Sequence, residues 1–357
     1  MAIITKLEEL MKKRGYSIAK LSEEIGISPV NISKIKNGHV SAIRFSTLDS
    51  LCRVLECQPQ DILVYQEREN DKKKVIPLFL DYSGTTDLLL RSGAENVKDF
   101  FDSIIDLQNK TRSEVQIIMV TGSSKESAKS KFKLLSDLAT NYGLEELFTG
   151  VVAEYSGHYI TKENSSQLVS IDKRILDKTK EIEKLTKEYG GEISPSVSSF
   201  YNVLFEDISR IKLSEFGEKI DAIMEDGDKN NPISTTTYYD EYGKECDIKP
   251  KGISKANAVR MIVERLRKKY NIPFVIIGGD DKREDLIMYT ENADRFKKMG
   301  LNSVFIAPSN IGKISNYDKN IIVGKWENAT GIVDTIKQLT GRVREREDGA
   351  IEIWHIF

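Results

Sequence analysis

Asp81 closes the apolar run Val75-Ile76-Pro77-Leu78-Phe79-Leu80 and is followed by Tyr82-Ser83-Gly84-Thr85. A buried strand that ends in an aspartate, with a small residue and a glycine behind it, presents a carboxylate to a ligand and surrounds it with backbone N–H groups. A second apolar run, Val115 to Val120, ends in Thr121-Gly122-Ser123, where a hydroxyl can bond a phosphate oxygen. Further on, Ile248 to Val259 passes from a loop into a helix, with Ser254 as its N-cap and Lys255 in its first turn. Phe274 to Gly279 is a strand that runs into Asp280 and Asp281, and Asp285 follows closely. A carboxylate, a hydroxyl, an ammonium and a group of acids are the parts of a phosphoryl-transfer site. Oxygen-only ligands beside a phosphate favour Mg²⁺, which takes one or two carboxylates, water and the phosphate itself. Asp81, Asp280, Asp281 and Asp285 are the candidate ligands, and no zinc spacing competes.

Each of these segments alone is also what a solvated acidic or basic turn looks like. Their order, with three at the ends of predicted strands and the lysine at a helix start, makes them one site. The order resembles that of the haloacid dehalogenase (HAD) superfamily. That resemblance makes Asp81 the nucleophile, Thr121 the second-motif hydroxyl and Lys255 the lysine that neutralises nucleophile and phosphoryl group, with Lys251 the poorer choice. Asp280 and Asp285 fit the GDxxxxD form of the metal motif, Asp281 and Asp285 the GDxxxD form, and both stay open. The family's general acid and base lies two positions after the nucleophile, where this chain has Ser83.

The resemblance covers residues 74–342 and is closest to the sugar-phosphatase-like, Cof-type members, which carry a large α/β cap. It implies an α/β, Rossmann-like core with a mostly parallel sheet at residues 75–160 and 250–341 and a cap at 161–249. Residues 151–160 stand where these proteins have xENGAxI, but Tyr155-Ser156 replaces the asparagine. Within the cap the pattern predicts a long charged helix from Asp172 to Tyr189, a serine-rich loop at 194–199, a strand over 200–205 and a helix over 213–223. Such a cap suggests a small phosphorylated ligand or substrate enclosed over Asp81.

Residues 1–66 show helical periodicity and closely spaced start signals, and five helices fit: 3–13, 17–25, 28–37, 46–55 and 59–64. Leu21, Ile25, Ile27, Ile32 and Ile35 join the second and third of these across a short turn as a helix-turn-helix. The module resembles the lambda repressor and Cro type, an all-α DNA-binding domain. In such a domain the third helix enters the major groove, so Val30, Asn31 and Lys34 would face bases. Ser17, Lys20, Lys36, Asn37 and Arg44 would reach the phosphates, and Ser28, the N-cap of the third helix, is the remaining DNA-binding candidate. The module is close to neutral, so a homodimer on a double-stranded DNA operator is expected rather than tight nonspecific binding. The alternative is a small helical protein-interaction domain.

A net charge of −2, from 53 basic and 55 acidic residues, excludes a polybasic coat or an acidic tail. Residues 67–74 read as a polar linker. Cys52, Cys57 and Cys246 contain no CxxC pair, no signal peptide or membrane span is legible, and a cytoplasmic location is expected. His39, His158 and His355 are scattered and carry no assigned chemistry. Residues 342–357 read as a hairpin around Asp348-Gly349, with two largely apolar faces, expected to extend the core sheet or to meet a second copy.

Two functional readings result. One is a transcriptional regulator whose HAD-like domain senses a small phosphorylated ligand or acts as a slow aspartyl-phosphate phosphotransferase. The other is a Mg²⁺-dependent phosphatase with an accessory DNA-binding domain. Ser83 separates them, because a general acid and base contributes about 10²–10⁴-fold to rate and a serine hydroxyl has no protonation change near neutral pH.

Overall fold

The computed structural model describes residues 2–66, 72–91, 93–225, 232–239, 243–314, 318–346 and 350–354. The chain divides into two units, Met1–Lys73 and Lys74–Phe357.

The first unit runs β1 (Ala2–Thr5), α1 (Leu7–Arg14), α2 (Ile18–Ile25), α3 (Pro29–Lys36), α4 (Phe45–Leu55), α5 (Pro59–Ile62), β2 (Leu63–Gln66). Its helices begin where the sequence supplies caps. Ser17 Oγ accepts from the Lys20 N–H at 3.2 Å and Ser28 Oγ from that of Asn31 at 3.3 Å, with Pro29 at the first helical position. Gly26 ends α2 with φ of +69°, which an L side chain adopts only with strain. Leu7, Leu21, Ile32, Leu51 and Ile62 form the fully buried centre. Two expected helices are shorter than the periodicity predicts. Ala2–Thr5 and Leu63–Gln66 leave the helices and pair antiparallel, Ile4 opposite Val64. The β-branched run Ile3-Ile4-Thr5 suits an extended chain, and its partner lies too far along the sequence for local periodicity to register.

The second unit runs β3 (Val75–Asp81), α6 (Asp87–Arg91), α7 (Ala94–Thr111), β4 (Glu114–Val120), α8 (Lys125–Thr140), β5 (Phe148–Ala153), β6 (His158–Ile160), β7 (Ser165–Gln167), α9 (Lys173–Asp177), α10 (Thr179–Glu188), β8 (Gly191–Ile193), β9 (Tyr201–Phe205), α11 (Arg210–Ile223), β10 (Ile233–Tyr239), β11 (Lys244–Pro250), α12 (Lys255–Lys269), β12 (Phe274–Gly278), α13 (Asp285–Lys298), β13 (Asn302–Ala307), β14 (Ile321–Val323), α14 (Asn328–Arg342), β15 (Val343–Glu345), β16 (Ile351–Ile353). The main sheet has the order β14-β13-β12-β3-β4-β5-β6-β7, parallel from β14 to β5 and antiparallel beyond. Helices cover both faces, which explains why β3 is buried at every position rather than alternating. Ile76, Leu78 and Leu80 pack with Phe100 of α7 and Ile336 of α14, while Phe79 packs with Val259 of α12 and Met288 of α13. Pro77, which has no N–H to give, stands just before the β3–β12 register begins at Leu78.

The sheet β10-β11-β9-β8 carries the cap. Alternation on β9 and β11 sends Val203, Cys246 and Ile248 against Ile182 of α10 and Phe216 of α11, and leaves Asn202 and Asp247 on the opposite face. The main sheet continues to Gln167 through β7, so the cap begins later than the expected 161. The expected continuous helix over 172–189 is two: Lys178 has φ −102° and ψ 5°, which ends α9 and starts α10 and lets Ile175 and Ile182 both reach the cap core.

The carboxy-terminal hairpin forms, but it does not extend the main sheet, whose edges are β7 and β14. Val343 and Ile351 join the core cluster below it, and Glu345 pairs with Lys74 at 3.0 Å and Arg112 at 3.3 Å. Its other face is exposed, Trp354 by 50%. The predicted Asp348-Gly349 turn and His355 to Phe357 lie outside the described residues.

Candidate functional site

The parallel strands β3, β4 and β12 deliver their carboxyl ends to one edge of the sheet, where ligands bind in doubly wound folds. Asp81 ends β3 and is buried. Lys255 enters from the start of α12, where Ser254 Oγ caps the Asn257 N–H at 3.1 Å. Its Nζ donates to Asp81 Oδ1 at 2.8 Å and to Asp285 Oδ1 at 2.8 Å, and lies 3.0 Å from Glu284 Oε2. Lys251, the other candidate, is exposed.

Asp81, Asp280 and Asp285 offer carboxylate oxygens that all lie within 4.8 Å of one another. Asp281, the fourth candidate, is not brought into this group. Its Oδ1 accepts from the Arg283 N–H at 2.5 Å and the Glu284 N–H at 3.2 Å, so the side chain is spent on the turn before α13. Asp285 Oδ2 in turn takes the N–H groups of Asp280 and Asp281, each at 3.1 Å. Gly84 is required by this packing: its φ is +73°, and a Cβ there would sit 2.3 Å from Asp280 Oδ2. Thr85 Oγ1 donates to Asp280 Oδ1 at 3.2 Å, tying the turn after Asp81 to the acids.

Burial pushes Asp81 well above the usual carboxylate range, opposed by Lys255 and reinforced by Asp285 and Asp280. Burial likewise raises Asp280, with Asp285 adding to it. Burial works against the charge on Lys255, but Asp81, Asp285 and Glu284 outweigh it and hold the ammonium firmly protonated. Three acids thus meet one ammonium, and Asp280 stands beside two of them. That excess of negative, oxygen-only donors fits a hard divalent cation such as Mg²⁺.

Thr121 lies one residue beyond Val120, which is level with Asp81 in the β3–β4 register. It is buried, donates to Ser123 Oγ at 3.0 Å and accepts from the Ser123 N–H at 3.2 Å. Ser83 is exposed in the turn after Asp81. No carboxylate stands in its place.

Several residues here were not singled out from the sequence. Tyr238 of the cap donates to Glu284 Oε1 at 2.6 Å and shares a 2.7 Å hydrogen bond with Tyr155, which donates to Asp247 at 2.8 Å. Asp81 is therefore linked to the cap through Lys255, Glu284 and Tyr238. Glu154 takes the N–H groups of Ser198 and Ser199 at 3.0 and 2.9 Å, which docks the serine-rich cap loop. The departure from xENGAxI thus falls on a cap-docking turn, in which Glu154 and Tyr155 have φ of 51° and 61°. His158 is buried beside it, 2.8 Å from Ser198 Oγ.

In the first unit Val30, Asn31 and Lys34 are exposed on one side of α3, while Ile32 and Ile35 are buried on the other. Val30 and Lys34, with Ile18, Pro29, Ser33, Asn37 and His39, line an open groove of about 400 Å³. Lys20, Asn37 and Arg44 are exposed. The hydroxyls of Ser17 and Ser28 already cap helices, and Lys36 lies 3.5 Å from Glu8.

These two sets of residues belong to a helix-turn-helix unit and to a capped, Rossmann-like α/β unit. Residues 6–68 match the Cro/C1-type HTH DNA-binding domain. Through that module the chain belongs to the Cro/C1-type helix-turn-helix transcriptional regulators. It is 44% identical over 90 residues to YozG of Bacillus subtilis, described as an uncharacterized HTH-type transcriptional regulator; the match spans 24% of this chain and 99% of that protein. Among solved structures, the chain is similar to the C-terminal domain of C. albicans trehalose-6-phosphate phosphatase, at 13% identity and a TM-score of 0.47 over 76% of this chain and 94% of that one. It is also similar to yhjK, a haloacid dehalogenase-like hydrolase protein from Bacillus subtilis, at 17% identity and a TM-score of 0.41 over 76% and 97%. Among the described residues no helix is long and apolar enough to cross a membrane.

Proposed function

We propose that this protein is a DNA-binding regulator whose HAD-like unit takes a small phosphorylated ligand over Asp81 and holds it, or its phosphoryl group, without rapid turnover. The observation that carries this reading is Ser83: Asp81, Lys255, Asp280 and Asp285 stand together, while the position two residues after Asp81, where the resemblance expects the proton-transferring carboxylate, holds an exposed hydroxyl. Attack by an Asp81 oxygen would form a P–O bond as the bond from phosphorus to the leaving oxygen breaks. That oxygen would take its proton from water, since no carboxylic acid stands at position 83. Hydrolysis of the aspartyl phosphate would then lack a base at the same position, so the phosphorylated state would persist. Asp81, Asp280 and Asp285 would hold Mg²⁺, which when bound supplies charge stabilisation to the phosphate.

On the DNA side, Val30, Asn31 and Lys34 would read bases, Ser17, Lys20, Lys36, Asn37 and Arg44 would follow the phosphates of an operator bound by a homodimer, and Ser28 would cap the reading helix. A regulator that binds DNA would work in the cytoplasm, where its operator lies.

The experiment is to offer acetyl phosphate and a panel of phosphate esters with Mg²⁺ to wild-type protein, Asp81→Asn and Ser83→Asp. Label should accumulate on wild type and not on Asp81→Asn, and Ser83→Asp should increase turnover. Fast multiple turnover by wild type, unchanged in Ser83→Ala, would overturn the reading in favour of a phosphatase.

A further inference from the structure

Lys255 has three N–H donors, and three carboxylates already stand against it: Asp81, Glu284 and Asp285. Little of its hydrogen-bonding capacity is left for the oxygens of a phosphoryl group. On the opposite side of β3 from β12, a second ammonium is held in a different manner. Lys131, on the second turn of α8, donates from Nζ to Ser123 Oγ at 2.7 Å and lies 4.3 Å from the centroid of the Tyr82 ring. Tyr82 follows Asp81 in the chain, and Ser123 Oγ is the group to which Thr121 donates at 3.0 Å. Lys131 therefore spans the turn after the nucleophile and the turn after β4, the two loops that frame Asp81.

Lys131 is half-buried, yet among the described residues no carboxylate comes within ion-pair distance of it. A buried charge is ordinarily paired, because its desolvation is costly. Burial accordingly holds this ammonium below the usual lysine range, with Asp81 and Asp87 acting against that from further away. Its close partners are a hydroxyl and a ring face, both neutral. A cation held in a cleft by neutral groups, beside an oxygen-rich strand end, lacks its anion.

We propose that Lys131, with the hydroxyls of Ser123 and Thr121, binds the ligand's phosphoryl group from the β4 side and supplies the positive charge that Lys255 spends on its carboxylates. This rests on the reading of Asp81 as a phosphoryl site. It makes Lys131 a ligand-binding residue and the Tyr82 ring the wall that aims it.

The test uses full-length protein, with inorganic phosphate as the probe in the presence of Mg²⁺, measured by calorimetry and thermal unfolding. Lys131→Met should weaken phosphate binding about 10–100-fold, the range of a charge-assisted hydrogen bond, and Lys131→Arg should retain most of it. Without phosphate, Lys131→Met should melt no lower than wild type, because it removes a buried charge that has no counter-ion. Its Mg²⁺-induced rise in melting temperature should persist, which shows that the carboxylate cluster is intact. Phosphate affinity equal to that of wild type would overturn the assignment of Lys131 alone. A lower melting temperature without phosphate, with affinity unchanged, would do the same and make it a structural residue. Failure of wild type to bind phosphate at all would instead remove the phosphoryl reading on which the proposal stands.

Discussion

Replacing Lys255 with Met removes the ammonium on which Asp81, Asp285 and Glu284 converge. The carboxylates of Asp81 and Asp285 lie 2.8 Å from it with side chains only 5% and 1% exposed, and Glu284 lies at 3.0 Å. Removing one partner of a buried pair costs about 3–5 kcal/mol, because the remaining charge keeps its desolvation penalty and loses its counter-ion. In this cluster the penalty has an outlet, since the acids can take up protons. Asp81 is already raised well above the ordinary range, chiefly by burial and against the pull of Lys255; without Lys255 it should rise further. A group whose pKa is raised on folding contributes stability that is complete below its unfolded value, about 3.9 for Asp, and is lost as pH rises through the folded value. The deficit of Lys255→Met relative to wild type should therefore be about 3–5 kcal/mol at pH 8 and should shrink toward pH 5. Urea unfolding in EDTA measures it. Both tryptophans, Trp326 and Trp354, lie in the second unit, so tryptophan emission, excited apart from tyrosine, follows that unit alone. A deficit under about 1 kcal/mol at pH 8, the scale of an exposed pair, or one that does not change between pH 5 and pH 8, would refute the view that Lys255 neutralises a charged buried cluster.

Mg²⁺ should raise the melting temperature of wild type by linkage, and Asp280→Asn combined with Asp285→Asn should abolish the rise; an unchanged response would remove both residues from the metal site. Gly84→Ala places a methyl 2.3 Å from Asp280 Oδ2 at a φ of +73°, so it should cost about 1–2 kcal/mol in backbone strain alone and blunt the Mg²⁺ response. Wild-type thermal and Mg²⁺ behaviour in that variant would mean that the loop and acids are not packed as described. Asn31→Ala or Lys34→Ala should each cost about 1–3 kcal/mol of specific DNA binding, while Lys36→Ala should weaken binding to all sequences and flatten its salt dependence. Footprinting on the protein's own promoter region tests this, and the absence of any protected site would favour a protein-interaction role.

Much of the site was legible in the sequence because its parts sit at element boundaries, which local chemistry marks. Asp81 and Thr121 follow largely apolar strands, Lys255 follows an N-cap serine, and α3 begins at Ser28-Pro29. Those signals are carried by neighbours within a few residues, so they survive without knowledge of the fold. Periodicity failed where the decisive partner was distant: Ile3 and Ile4 became a strand because Leu63–Gln66 lay alongside, and the hairpin docked on α7 and α14 through Val343 and Ile351 instead of adding to a sheet edge.

The choice among the acids also needed three dimensions. Asp280, Asp281 and Asp285 are equivalent as residue types and nearly so in spacing, but the turn into α13 points Asp281 at its own N–H groups and leaves Asp280 and Asp285 facing Asp81. Glu284, Tyr238 and Lys131 had no local signal, because each acts on a residue of another element. The sequence by itself determined which chemistry is available here: a carboxylate, a lysine, paired acids and no second carboxylate at Ser83. The tertiary structure decided which side chains share a charge, since that depends on the direction each is aimed across strand ends that the chain visits far apart.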